Sequence, residues 1–224
     1  MEDARAYEEL RVGFTAAVSH ELRTPLARLM ALLDSAGLPG ADQGALLAQA
    51  RQEVEEMTEL VNDVLFLSEL ESGREVVALG ETRVLPVLEE ARDRLADSAE
   101  RADVTIRVEA DPADVGLPLR RRMLHTIVEN LAQNAIRYAG PGSTLTLAAR
   151  PALLAVSDDG RGVEEEELPR LFERFFRSDR ARASRGTGLG LAIVKHVVAS
   201  AGGEIEASGG PGRGLRIVCR FPAP

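Results

Sequence analysis

The stretch Phe14-Thr-Ala-Ala-Val-Ser-His-Glu-Leu-Arg-Thr-Pro-Leu26 opens a run of apolar residues at alternating four- and three-residue steps: Val18, Leu22, Pro25, Leu29, Leu32 and Ala36. That spacing is the seam of a helix that packs lengthwise on other helices. His20 lies about 200° around the helix from Val18 and therefore faces away from the seam, with Thr24 one turn later on the same face. Pro25 removes the amide that would bond the carbonyl of residue 21, so a kink is expected within a turn of His20. Gly37-Leu-Pro-Gly40 ends the helix.

A second helix follows, with Leu47, Ala50, Val54, Met57, Val61, Val64 and Ser68 in the same spacing and Glu53, Glu55, Glu56 and Glu59 between them; Glu71-Ser-Gly73 ends it. Each helix of such a hairpin buries one stripe only. The expectation is that hairpins from two chains join in a dimeric four-helix bundle, making the protein a homodimer.

The whole chain has 224 residues and a formal charge of −9. Residues 1–72 hold 14 acidic and 5 basic side chains, whereas residues 73–224 hold 22 of each. All the excess acid sits in the hairpin, and the basic field that a nucleic-acid binder needs is missing. No run of 18 apolar residues occurs, and the N-terminus has no signal-peptide pattern. A single cysteine, Cys219, fits a reducing cytosol.

Beyond residue 75 the pattern changes to short β-rich runs between amphipathic helices. Helices are expected at 84–102, 119–138 and 192–201, and strands at 104–109, 144–149, 153–156, 203–207 and 215–221. This mixed order predicts an α+β sandwich, a mostly antiparallel sheet with helices on one side.

Four segments in this half could carry chemistry. Asn130 and Asn134 lie four apart on a helix and share a face with Arg137 and Tyr138; an amide oxygen there can bind a hard cation such as Mg²⁺, and an NH₂ can donate to phosphate. Asp158-Asp-Gly-Arg-Gly162 places an acid and two glycines after a buried strand. Gly186-Thr-Gly-Leu-Gly-Leu191 opens a helix whose backbone amides and dipole suit phosphate. Between them, Arg170, Arg174, Arg177, Arg180, Arg182 and Arg185 put six guanidinium groups in sixteen residues, with Phe172, Phe175 and Phe176 at the base of what reads as a lid over a nucleotide. Glu164–Glu167 adjoin this stretch and would repel a polyanion. A dinucleotide-binding βαβ unit is excluded by element order, and a Walker loop by the position of the sole lysine, Lys195.

Taken in order, these motifs resemble the cytoplasmic core of a two-component sensor histidine kinase. Ser19–Pro25 is similar to the H-box, Asn130–Tyr138 to the N-box, 158–162 to the DxGxG box, Leu171–Phe176 to the F-box and Gly186–Leu191 to the GxGxGL box. The resemblance implies a dimerisation and phosphotransfer hairpin at 1–73 and a Bergerat-type ATP-binding catalytic domain at 74–224. It implies that His20 is the phosphate acceptor, that Glu21 hydrogen-bonds the Nδ1 proton and leaves Nε2 free, and that Thr24 orients water for dephosphorylating the regulator. In the nucleotide domain it implies Asn134 as the Mg²⁺ ligand with Asn130 beside it, Asp158 as acceptor of the adenine amino group, and Gly160 and Gly162 beneath the base. Arg137 stands where many relatives have lysine, and Tyr138 lines the pocket. Phe175, Arg185, Gly186, Thr187, Gly188, Leu189 and Gly190 border the phosphates. The implied cofactors are ATP and Mg²⁺, and the implied partner is the receiver domain of a response regulator. Tyr7, Leu10 and Val12 could continue the first helix upstream, which fits the cytoplasmic portion of a membrane-anchored sensor. The alternatives are an ATP-binding dimeric scaffold and a serine kinase of the same fold.

Overall fold

The computed structural model describes residues 2–72, 80–110, 115–178 and 186–222, with side chains from residue 15 onward. The chain divides into two compact units, residues 1–66 with 185–187, and residues 67–184 with 188–224.

The first unit is built on two long helices, α1 (Glu2–Ala36) and α2 (Gln43–Glu71), whose last residues pass into the second unit. Pro25 lies inside α1, which continues past it to Ala36. The loss of one backbone hydrogen bond is tolerated in a helix that is long on both sides. Asp42 starts α2: its carboxylate accepts the Ala45 N–H at 3.0 Å, and its carbonyl accepts the Leu46 N–H at 3.0 Å. This is an N-cap at the end of the glycine-rich turn. Val18, Leu22, Leu29 and Leu32 are half-buried. Leu26, Met30 and Leu33 on α1 and Leu47, Val54, Val61 and Leu65 on α2 are exposed, Leu33 at 58%.

The second unit is a two-layer sandwich. It contains β1 (Thr82–Arg83), α3 (Val84–Arg101), β2 (Val104–Ala110), β3 (Gly116–Leu117), α4 (Arg121–Tyr138), β4 (Ser143–Arg150), β5 (Leu153–Asp158), α5 (Gly190–Ser200), β6 (Glu204–Gly209) and β7 (Leu215–Arg220). Five strands form one sheet in the order β2-β4-β5-β7-β6, and β1 pairs with β3 in a separate ribbon. Alternation along the strands fixes the face. Leu147, Val156, Ile217 and Ala207 form one cross-strand row, and Ala149, Leu154, Cys219 and Ile205 form the next. Against the buried members of these rows pack the apolar stripes of the helices, such as Val87, Leu88, Ala91 and Leu95 on α3, Met123, Ile127 and Leu131 on α4, and Ile193, Val194 and Val197 on α5. Burial also pushes the Cys219 thiol up to about 12, so it sits in this core as a small apolar group.

The fold is the expected helical hairpin followed by an α/β sandwich, with two refinements. The sheet is mixed: three pairings are antiparallel, but β2 and β4 run parallel because the chain between them crosses over through α4. The second refinement is a 3₁₀ helix at Glu165–Arg170, which packs on β6. With Phe172 it borders a cleft of about 620 Å³ lined also by Leu153, Arg216 and Val218 from the sheet face opposite the three helices. No helix among the described residues is long and apolar enough to cross a membrane.

Candidate active site

Asp158 is the last residue of β5, which carries it from the core to the edge of the sandwich. Its Oδ1 accepts the Gly160 N–H at 3.0 Å, and the Leu215 N–H also bonds the carboxylate. Burial holds its pKa above the ordinary carboxylate value, the two backbone donors only partly offsetting this, with Asp159 adding a smaller upward push. Asp159 itself serves the fold, its carboxylate accepting the Thr144 N–H at 2.6 Å.

The loop after Asp158 is pressed between two pieces of backbone. On one side, the Arg161 N–H donates to the carbonyl of Ala139 at 2.9 Å, and a β-carbon at Gly160 would lie 2.3 Å from that oxygen. On the other side is the turn joining β6 to β7. Its Gly212 N–H donates to the Arg161 carbonyl at 2.8 Å and its Gly214 N–H to the Gly160 carbonyl at 3.0 Å. Gly162 meets the same turn, where a β-carbon would fall 2.0 Å from the Gly210 oxygen.

Helix α4 supplies the asparagines. Asn134 is half-buried, and its side-chain amide makes no hydrogen bond among the described residues, so its oxygen is available to a ligand. A hard cation that retains waters and phosphate oxygens needs few protein ligands, and one uncommitted amide oxygen fits Mg²⁺ in that role. Asn130 is differently placed. Its Nδ2 donates to the Thr126 carbonyl at 2.8 Å, and its Oδ1 stands against Gly190 at the start of α5. Sequence spacing puts both amides on one face; the structure ties the Asn130 NH₂ to its own helix and sets its oxygen against Gly190. Arg137 is exposed and Tyr138 half-buried at the C-terminal end of α4.

The F-box and the glycine loop meet backbone to backbone. The Phe175 N–H donates to the Gly188 carbonyl at 2.9 Å, and Phe175 holds a φ of +61°, a conformation that L side chains rarely adopt. Gly188 carries a φ of +68°, and a β-carbon there would meet the Phe175 backbone at 2.9 Å. Leu189 is fully buried, and its carbonyl accepts the first helical N–H shown for α5, from Ile193 at 2.9 Å. Such strain at a loop junction points to a functional constraint. Phe172 lines the outer cleft instead, and Phe176 lies under the Arg170 guanidinium at 4.5 Å from ring centre. Gly186 and Thr187 group with the first unit, where the Thr187 hydroxyl bonds Asp63 at 2.8 Å. Arg185 lies outside the described residues.

On α1, His20 is exposed, its side chain at 74%. The Glu21 carboxylate lies 3.6 Å from its Nδ1, within ion-pair range but beyond a hydrogen bond. Thr24 is exposed one turn further on.

Sequence reading passed over the role of the turn 209–214 in shaping the Asp158 loop. Its signal was present as four glycines in six residues before the last strand.

Fold and site together define a nucleotide-binding sandwich of the ATPase type joined to a helical hairpin that presents a solvent-facing histidine. Residues 119–224 match the family described as histidine kinase-, DNA gyrase B- and HSP90-like ATPase, and residues 10–73 match the His kinase A (phospho-acceptor) domain. Sensor-like histidine kinase SenX3 of Mycobacterium tuberculosis is 36% identical over 231 residues, covering 99% of this chain and 56% of that protein. The Acinetobacter baumannii histidine kinase AdeS superposes with a TM-score of 0.72 at 25% identity, over 90% of this chain and 97% of that one. The histidine kinase ShkA, solved full-length with AMPPNP, superposes with a TM-score of 0.62 at 28% identity, over 93% of this chain and 46% of that one. This chain belongs to the two-component sensor histidine kinase family. It spans about half the length of the curated relatives it matches.

Proposed function

We propose that this chain autophosphorylates on His20 with ATP and passes the phosphoryl group to an aspartate of a response regulator, with residues 1–73 as the dimerisation and phosphotransfer hairpin and residues 74–224 as the catalytic domain. The observation that carries this reading is the pairing, in one chain, of an exposed histidine beside a carboxylate with a half-buried aspartate held by backbone donors in a glycine-rich pocket.

The residues divide the work. Asp158 accepts a hydrogen bond from the exocyclic amine of adenine, which a guanine carbonyl at that place cannot supply. Gly160 and Gly162 let the loop that carries Asp158 pack against the Ala139 and Gly210 backbone, and Tyr138 lines the pocket. Asn134 would hold Mg²⁺ through its uncommitted amide oxygen, and the ion would supply positive charge to offset the phosphates. Arg137 meets phosphate from the end of α4, and Gly186, Thr187, Gly188, Leu189 and Gly190 border it. His20 supplies the nucleophile: the Nε2 lone pair attacks the γ-phosphorus in line, a N–P bond forms, the bond from phosphorus to the β,γ-bridging oxygen breaks, and ADP leaves with that electron pair. Glu21 holds the proton on Nδ1 and so keeps Nε2 free. Rate comes from positioning and charge, since no strong base is needed to expose an imidazole lone pair. Thr24 orients water when the same hairpin dephosphorylates the regulator. The exposed apolar face of the hairpin supports a homodimer, and the family supports a cytoplasmic location for this core.

The test is incubation of the purified chain with Mg²⁺ and γ-labelled ATP beside a His20→Gln variant. The expected product is protein-bound label that is lost in acid, kept in alkali and absent from the variant. Acid-stable label would indicate a serine or threonine kinase, and ATP binding without label a scaffold.

A further inference from the structure

The turn between β6 and β7, Gly209-Gly-Pro-Gly-Arg-Gly214, reaches the Asp158 loop at several points, and none of them involves a side chain of the turn. Gly212 and Gly214 donate to the carbonyls of Arg161 and Gly160 at 2.8 and 3.0 Å, and the Leu215 N–H bonds the Asp158 carboxylate. Gly214 lies so close that a β-carbon on it would stand 1.8 Å from the Asp158 carbonyl oxygen and 3.0 Å from the Asp159 α-carbon. No side chain could yield there, because both atoms are backbone. Gly212 has the same φ of +70° as Gly214, yet a β-carbon at Gly212 meets nothing within 4 Å.

We infer that the β6–β7 turn is the rigid template that sets the position of the Asp158 carboxylate, making Gly214 a positioning residue for base recognition. The inference rests on the reading of Asp158 as the acceptor of the adenine amine. Phosphate contacts come from other segments, so damage to the template removes discrimination between bases and leaves phosphate affinity in place. A substitution at Gly214 pushes on the end of β5, and the carboxylate leaves the line of the amine; hydrogen bonds of this kind weaken steeply with misalignment.

The matched pair of glycines provides the experiment. Affinities for ATP, GTP and inorganic tripolyphosphate are measured, with Mg²⁺, on the full chain and on its Gly212→Ala, Gly214→Ala and Asp158→Asn variants. Both alanines carry the same left-handed strain, but only one meets the Asp158 backbone. Gly214→Ala is expected to lose at least tenfold in ATP affinity, to bring the ATP-to-GTP preference close to one, and to keep tripolyphosphate affinity within twofold. Gly212→Ala is expected to keep the preference of the unmodified chain. Loss of preference in both alanine variants, or in neither, overturns the template. Retention of the preference in Asp158→Asn overturns the underlying reading of Asp158 instead. Should Gly214→Ala fail to fold, amide hydrogen exchange on the unmodified chain decides. Adenosine, which has no phosphate, is expected to slow exchange at 158–162 and 209–215 together; slowing at 158–162 alone refutes the proposal.

Discussion

The side-chain oxygen of Asn130 stands 2.5 Å from the point that a β-carbon on Gly190 would occupy. The amide cannot swing aside without releasing its bond to the Thr126 carbonyl at 2.8 Å. The first residue of α5 is therefore seated against α4 by a side chain of α4, and the glycine is what permits the seat. Gly190→Ala is expected to destabilise the fold by about 1–3 kcal/mol, the usual scale for forcing an extra carbon into a packed contact. It should also weaken ATP binding, because the loop that borders the phosphates ends there. The check is a double-mutant cycle with Asn130→Ala, read by chemical unfolding. With the obstructing amide gone, the cost of the alanine at 190 should fall by more than half; simple additivity of the two changes would show that the residues do not oppose one another.

Asp158 sets binding against stability. Burial raises its pKa from the ordinary 3.8, so the fold favours the neutral acid and the ionised form costs stability at neutral pH. Asp158→Asn removes that cost. Its melting temperature should equal or exceed that of the unmodified chain, while ATP affinity falls at least tenfold. The reason lies in the two backbone donors: an asparagine must turn its one oxygen toward them and present NH₂ to the adenine amine, donor against donor. The pH dependence follows the same sign. Adenosine affinity should decline on acidification at pH values above those at which a free aspartate protonates, as the carboxylate gains its proton, and the Asn variant should show no such decline. An affinity that holds constant down to pH 4 would exclude Asp158 as the acceptor.

Glu21 lies 3.6 Å from the Nδ1 of His20, close enough to close into a hydrogen bond on a rotamer adjustment. Replacing it by Gln keeps the shape and removes the charge that holds the Nδ1 proton. The autophosphorylation rate should drop by about 10²-fold, within the range for a proton-handling group, with the Kd for ATP unchanged. A parallel loss of nucleotide affinity would argue that the effect is one of folding.

How far the sequence disclosed this architecture depended on the range of the interaction concerned. The seam of α2 and the alternation of β4 and β7 are local periodicities, and they placed those elements within a few residues; the seam of α1 marks its end at Ala36 but starts at Val18, well inside a helix that begins at Glu2. The ribbon of β1 and β3 is two residues long on each side, too short for any alternation to register, and the 3₁₀ helix falls on a run of glutamates with no apolar periodicity to mark it. The parallel pairing of β2 with β4 is a choice of neighbour, which periodicity does not encode. In the site, the glycine motifs announced a nucleotide pocket because close approach of backbone to a ligand demands glycine. What those motifs could not disclose is that some of their glycines admit protein instead: Gly190 admits Asn130, and Gly188 admits the Phe175 backbone.

The hairpin leaves Leu26, Met30 and Leu33 on α1 and Leu47, Val54, Val61 and Leu65 on α2 exposed, and of the described residues these are nearly all of the large apolar side chains left in solvent. Large exposed apolar groups concentrated on two adjoining helices mark an interface. Covering one leucine contributes about 1.5–3 kcal/mol, so a second copy of the hairpin packed on this face gains from several such side chains at once. Leu33→Glu and Val61→Glu each place a carboxylate where the partner helix would lie, among chains that already carry excess acid. Each should weaken dimerisation at least tenfold in sedimentation equilibrium. ATP binding should stay unchanged, because neither Leu33 nor Val61 is among the residues proposed to hold the nucleotide. A chain that sediments as a monomer before any substitution, or a Leu33→Glu variant that dimerises as tightly as the original, would show that this face is covered by something other than a second copy.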